Sequence, residues 1–141
     1  MKNELSAELV IEVPFYDLDP MEVVWHGNYV KYFERVRCAL LAKFDYGYPE
    51  MKESGYMWPI VDMRLKYVNS ASFGQKLRCK ATIVEFENRL KIKYQILCDE
   101  TGKRLTRGYT TQVAVDINTR EMLLVSPEIL LKKLGVQNEN C

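Results

Sequence analysis

Tyr29, Val30, Phe33, Val36, Leu40, Leu41 and Phe44 recur every three or four residues, while Lys31, Glu34, Arg35 and Lys43 fall mostly between them. This is the spacing of a helix with one apolar stripe, and it predicts about four to five turns starting near Asn28. Asn caps helices well and Gly tolerates turn geometry, so Gly27-Asn28 is the expected start. The stripe constrains the fold strongly, because the rest of the chain offers strands, not a second long helix, to bury it against.

Leu9, Ile11, Val13 and Phe15 alternate with Glu8, Val10, Glu12 and Pro14. They predict a first strand with one buried face, ending near Pro14 to Tyr16. Four strand-like runs follow the helix. Pro59 to Val68 is apolar and partly β-branched, and Leu77, Cys79, Ala81 and Ile83 alternate with Lys76, Arg78, Lys80 and Thr82. Leu90, Ile92, Tyr94, Ile96 and Cys98 alternate with Lys91, Lys93 and Gln95; Tyr109, Thr111, Val113, Val115 and Ile117 alternate with Gly108, Thr110, Gln112 and Asp116. Glu87-Asn88, Asp99 to Gly102 and Asn118-Thr119 supply turns. Links this short require antiparallel pairing, since a parallel pair needs a crossover of about a dozen residues. Gly47, Pro49 and Gly55 punctuate a connection with room for a short helical turn. Met122 to Val125 continues the last hairpin, and Ser126 as cap with Pro127 at the first position opens a short C-terminal helix to Leu134.

The economical arrangement is α+β, an antiparallel sheet of about five strands wrapped on one long helix. No repeat, low-complexity tract or linker divides the chain, so residues 1–141 are expected to form one domain. Such a sheet exposes its edges, and joining two sheets edge to edge removes one edge from each. A homodimer is therefore expected.

Composition narrows the function by exclusion. There is one histidine, His26, so zinc sites built on paired histidines are out of reach. The net charge is +1 and the sequence pI about 7.6, which gives no electrostatic reason to bind bulk nucleic acid or an anionic membrane. Cys38, Cys79, Cys98 and Cys141 have no metal-clip or redox spacing and read as free thiols. Lys2, Glu4 and Glu8 interrupt any apolar run of signal-peptide length, and no stretch approaches the ~18 apolar residues of a membrane span. A cytoplasmic setting is expected. Gly-rich phosphate loops, dinucleotide fingerprints and the Gly-x-Ser-x-Gly elbow are missing, and Ser54, Ser70, Ser72 and Ser126 fall in turns or at a cap.

The densest functional candidate is DLDPMEVVWHGNY, Asp17 to Tyr29, which joins a strand end to a helix start. Carboxylates there face backbone N–H groups that are unpaired and carry partial positive charge. The pair suits acyl transfer: the N–H groups polarise a carbonyl and the carboxylate attacks it or activates water. Asp17 and Asp19 are also readable as ordinary loop residues making turns ahead of Pro20, the commoner role for such residues. His26 is a partly buried residue satisfying a backbone group, a simple helix-entry residue, or part of the chemistry. Trp25 and Tyr29 read as core or as pocket lining. Glu34, about two helical turns beyond His26, is either on the same side of the helix or a surface charge near Lys31 or Arg37. Arg89, Lys91 and Lys93 share a strand face with Arg78 and Lys80 on the preceding strand. That face is either simply solvated or an anionic handle for cofactor phosphates or an acidic carrier protein.

FYDLDPMEVVWHGNY, Phe15 to Tyr29, resembles the signature of the hotdog-fold acyl thioesterases, specifically the 4-hydroxybenzoyl-CoA thioesterase family. VKYFERVR, PIVDMRLKYVNSASFGQKL and TRGYTTQVAVD are similar to that family too, so the likeness runs from about Leu9 to Leu134. It implies a hotdog fold assembled as a homodimer or homotetramer, and hydrolysis of an acyl-CoA thioester with no metal or redox cofactor, coenzyme A entering as part of the substrate. A thioester carried on acyl carrier protein, or non-catalytic binding of acyl thioesters, are the alternatives. The resemblance makes Asp19 the catalytic carboxylate, as nucleophile or general base, and puts the carbonyl oxygen on the N–H of His26 or Gly27. It assigns the acyl pocket to Trp25, Tyr29, Glu34 and a neighbouring subunit's Pro59, Ile60 and Val61. Arg89 and Lys91 would hold coenzyme A phosphates. Glu22 stands where many relatives have Gly or another small residue, a departure that bears on the loop and on the charge near Asp19.

Overall fold

A computed structural model describes residues 5–136. Lys2, Glu4 and Cys141, used above, lie outside that range. The strands β1 (Ser6–Glu12), β3 (Ile60–Tyr67), β4 (Lys76–Glu85), β5 (Leu90–Cys98) and β6 (Arg104–Gln112) form one antiparallel sheet in the order β1-β4-β5-β6-β3. Helix α1 (Asn28–Lys43) lies on one face of it. The expected α+β arrangement of a five-stranded sheet on one long helix is the observed one.

Alternation and burial agree on β4 and β5, where Leu77, Cys79, Ala81 and Ile83 are opposite Cys98, Ile96, Tyr94 and Ile92 and bury against the helix stripe. On β6 the face expected to be buried, that of Tyr109 and Thr111, is the outer one. Register pairs Ile96 with Thr106, Tyr94 with Gly108, Ile92 with Thr110 and Leu90 with Gln112, so these small and polar residues meet the helix while Tyr109 turns outward. A Cβ at Gly108 would run into Phe33 and the Arg64 carbonyl; its absence lets Phe33 stack flat on Tyr94, with ring centroids 4.4 Å apart. Thr110 is satisfied by the Tyr94 hydroxyl at 2.7 Å, and buried Arg37 donates to that hydroxyl at 3.4 Å. Arg37 is therefore a core residue and not a surface partner for Glu34.

Other boundaries shift for local reasons. β1 stops at Glu12, and Phe15–Asp17 forms a single 3-10 turn that leaves Phe15 exposed. The last long run ends at Gln112; Val115–Asp116 (β7) pairs instead with Tyr56–Met57 (β2), and Val115 bridges Met122. The short helical turn is α2 (Tyr48–Ser54), closed by Gly55 in the left-handed region at φ 94°. α3 (Glu128–Leu134) is capped by Pro127; the Ser126 hydroxyl, expected as the cap, finds no partner. Likewise Gly27 occupies the cap position of α1, and Asn28 is its first residue.

Candidate active site

The two aspartates of the loop have different tasks. Asp17 is buried, and its carboxylate accepts the Tyr32 hydroxyl at 2.7 Å and the Lys31 ammonium at 3.3 Å. Its carbonyl takes the Asn28 side-chain amide at 2.8 Å and the Trp25 N–H at 2.9 Å. Asp17 thus ties the loop to the first turns of α1. Burial, and next the bond to Asp17, hold the Tyr32 phenol far above its ordinary pKa.

Asp19 heads a tight turn. Its Oδ1 accepts the N–H groups of Met21 at 2.8 Å and Val23 at 3.4 Å, and its main chain bonds Val23 and Glu22. Leu18 and Val24 bridge across the base. The turn is completed by Glu22 at φ 65°, a conformation that favours glycine. That is the physical reason a small residue suits the position. The Glu22 side chain is exposed.

Asp19, Val23, His26, Tyr29, Tyr67 and Asn69 line an open cleft of about 250 Å³. Among the described residues, the N–H groups of His26 and Gly27 donate to nothing, while the next N–H, of Asn28, closes back on the Trp25 carbonyl at 2.9 Å. The Tyr67 hydroxyl donates to the His26 carbonyl at 3.0 Å and anchors that peptide. The exposed imidazole lies between the Trp25 and Tyr67 rings, 5.0 and 6.3 Å away. Trp25 packs over Gly27 so closely that a Cβ there would collide with the indole. Tyr29 is buried, 5.5 Å from Tyr67 between ring centroids, and desolvation raises its phenol pKa.

The cleft therefore unites Asp19, His26 and Tyr29, with Gly27 and Trp25 adjoining. Sequence reasoning missed Tyr67 and Asn69. The end of an edge strand carries no motif, although Tyr67 closing an apolar run was a weak signal. The other candidates lie elsewhere in this chain. Glu34 is exposed on a concavity with Asp17, Lys31 and Cys38. Pro59, Ile60 and Val61 are exposed at the start of β3, at the opposite end of the strand from Tyr67. Arg89 sits in the β4–β5 connection, paired with Glu85 at 2.8 Å, and Lys91 is on the outer face of β5.

A five-stranded antiparallel sheet wrapped on one long helix is the hotdog fold of the thioesterases. Residues 13–133 match the Thioesterase-like superfamily, and the chain belongs to it. A Synechocystis protein provisionally named an esterase is 28% identical over 133 residues, covering 94% of this chain and 80% of that one. The DHNA-CoA thioesterase of Staphylococcus aureus superposes with a TM-score of 0.76 at 26% identity, over 84% and 80% of the two chains. A 1,4-dihydroxy-2-naphthoyl-CoA thioesterase from Synechocystis gives 0.82 at 18% identity, over 92% and 96%, a likeness of fold. No helix among the described residues is long and apolar enough to cross a membrane.

Proposed function

We propose that the protein is an acyl-CoA thioesterase of the kind typified by the 4-hydroxybenzoyl-CoA enzymes, with Asp19 as its catalytic carboxylate. One observation carries the reading: Asp19 and His26 line the same cleft, and the N–H groups of His26 and of the adjoining Gly27 are uncommitted among the described residues. Asp19 Oδ1 is held by two N–H groups, which leaves Oδ2 to act on a thioester carbonyl. The carbonyl oxygen, negative in the tetrahedral intermediate, rests on the N–H groups at the helix start, whose dipole favours an anion. Either Oδ2 attacks the carbonyl carbon, expelling the thiolate to leave a mixed anhydride that water then opens, or it takes a proton from water as that water attacks. Both routes consume one water and yield a free acid and a thiol. Single turnover in ¹⁸O-water, followed by mass analysis of the Asp19 peptide, separates them, because only the anhydride route can leave label on the protein.

The exposed edge of β3 supports a homodimer. Antiparallel pairing of β3 with its copy about a two-fold near Met63-Arg64 would set Ile60 and Val61 of one subunit beside Tyr67 of the other. Those residues would then line the acyl cleft, which is incomplete in a single chain. A cytoplasmic enzyme fits the free thiols of Cys38, Cys79 and Cys98.

The decisive experiment is hydrolysis of short, medium, long and aryl acyl-CoA esters by the wild-type protein and by Asp19→Asn. Turnover on at least one ester, lost in a variant that remains folded, supports the reading. Wild-type kcat in Asp19→Asn removes Asp19 from the chemistry.

A further inference from the structure

The outer face of the sheet, away from α1, carries a second constellation. Arg64 and Lys66 on β3, Arg107 on β6, and Lys91 and Lys93 on β5 line an open trough of about 520 Å³ around Tyr109. Register arranges them in rows: Arg64, Tyr109 and Lys93 in one, Lys66, Arg107 and Gln95 in the next. None of the five cations makes an ion pair among the described residues, although Arg78 on β4 is matched to Glu8 and Asp99. Two acids border the trough: Asp62 accepts the Tyr109 hydroxyl at 3.3 Å, and Glu85, opposite Lys91 in register, is paired with Arg89 at 2.8 Å. Lys66 and Arg107 are direct cross-strand partners, and like charges placed so destabilise a sheet.

We propose that this trough docks an acidic polypeptide, the charged face of a partner protein. Three observations favour that occupant over other anions. The cations are spread over three strands, about 10 Å across, and no backbone N–H nest gathers them round a single phosphate. Lys91 sits 4.4 Å over the Tyr109 ring, covering the surface on which a nucleic-acid base would stack, and the chain as a whole is only +1. Tyr109, Gly108 and Val84 give the trough a floor with an aromatic and an aliphatic side chain inside a charged rim, the layout of protein interfaces. In the homodimer proposed above, Arg64 and Lys66 flank the β3 seam, so the two troughs form one continuous face.

The test reads binding without turnover, so it stands or falls apart from the thioesterase reading. Full-length protein is titrated with fluorescent poly-L-glutamate at low and high salt, alongside a single-stranded oligonucleotide and inorganic pyrophosphate. Poly-L-glutamate is expected to bind most tightly, to be released by salt, and to bind at least tenfold more weakly to Lys66→Glu and Arg107→Glu. Lys66→Glu should keep or raise the Tm, since it turns a repulsive cross-strand pair into an attractive one. No salt-sensitive binding of poly-L-glutamate, binding unaltered by both variants, or tighter binding of the oligonucleotide or pyrophosphate overturns the proposal.

Discussion

The Tyr67 hydroxyl, at the end of β3, holds the His26 carbonyl at 3.0 Å, fixing from the sheet the peptide that opens α1. The adjoining N–H groups are those assigned to the thioester carbonyl. Tyr67→Phe should lower kcat about fivefold with little change in KM, as expected when a hydrogen bond of about 1 kcal/mol that orients a donor is lost while the ring lining the cleft stays in place. Steady-state kinetics on any active acyl-CoA ester checks this, and a change confined to KM would contradict it.

Asp17 and Asp19 should separate cleanly by mutation. Asp17→Ala strips the buried Tyr32 hydroxyl of its acceptor and the loop of its tie, and should cost about 2–3 kcal/mol in urea unfolding. Asp19→Asn, at a half-buried turn, should cost under about 1 kcal/mol while abolishing turnover.

Glu22→Gly should stabilise the protein. At φ 65° a side chain is strained, and relief should exceed glycine's larger loss of backbone entropy by about 0.5–1 kcal/mol. The Tm is the measurement, and a lower Tm would mean that the Glu22 side chain makes a compensating contact.

Gly27→Ala should displace Trp25, because the new methyl group collides with the indole. A cost of about 1–3 kcal/mol is expected, with a change in tryptophan fluorescence in the folded state.

Stability should fall in alkali. Burial pushes the Cys79 thiol up to about 12 from 9.0, and raises the Tyr29, Tyr32 and Tyr94 phenols above 10.0. Below the unfolded values, both states keep these protons and the stabilisation is complete. As pH rises past 9 and then 10, the unfolded chain ionises first, so unfolding becomes easier until the folded-state values are reached. The Cys98 thiol, lowered to about 7 from 9.0 by hydrogen bonds from Thr101 and Gln75, has the opposite effect below pH 9, so urea midpoints should decline from pH 9 to 11, and the decline should be shallower in Tyr32→Phe.

Periodicity made the helix and the β4–β5 pair legible, because their buried faces are apolar and water penalises any other register. β6 is not legible in this way, because its helix-facing residues are Thr106, Gly108, Thr110 and Gln112. Gly108 is there to admit the Phe33 ring and Thr110 to satisfy Tyr94, requirements set by other elements. In the site, the loop carboxylates and the helix start were readable from DLDPMEVVWHGNY. The burial of Asp17 was not, since the partner that compensates it, Tyr32, looks from sequence like one more residue of a helix.

The sequence by itself determined the element types, the antiparallel sense and the one loop where a carboxylate meets a helix start, since these follow from spacing and short-range stereochemistry. Tertiary structure alone decided which aspartate is a buried tie and which faces a cleft, that Tyr67 fixes the peptide at His26, and that five cations from three strands share one face. Each of those depends on side chains brought together by strand register and packing, and no local pattern encodes which distant residue will be opposite.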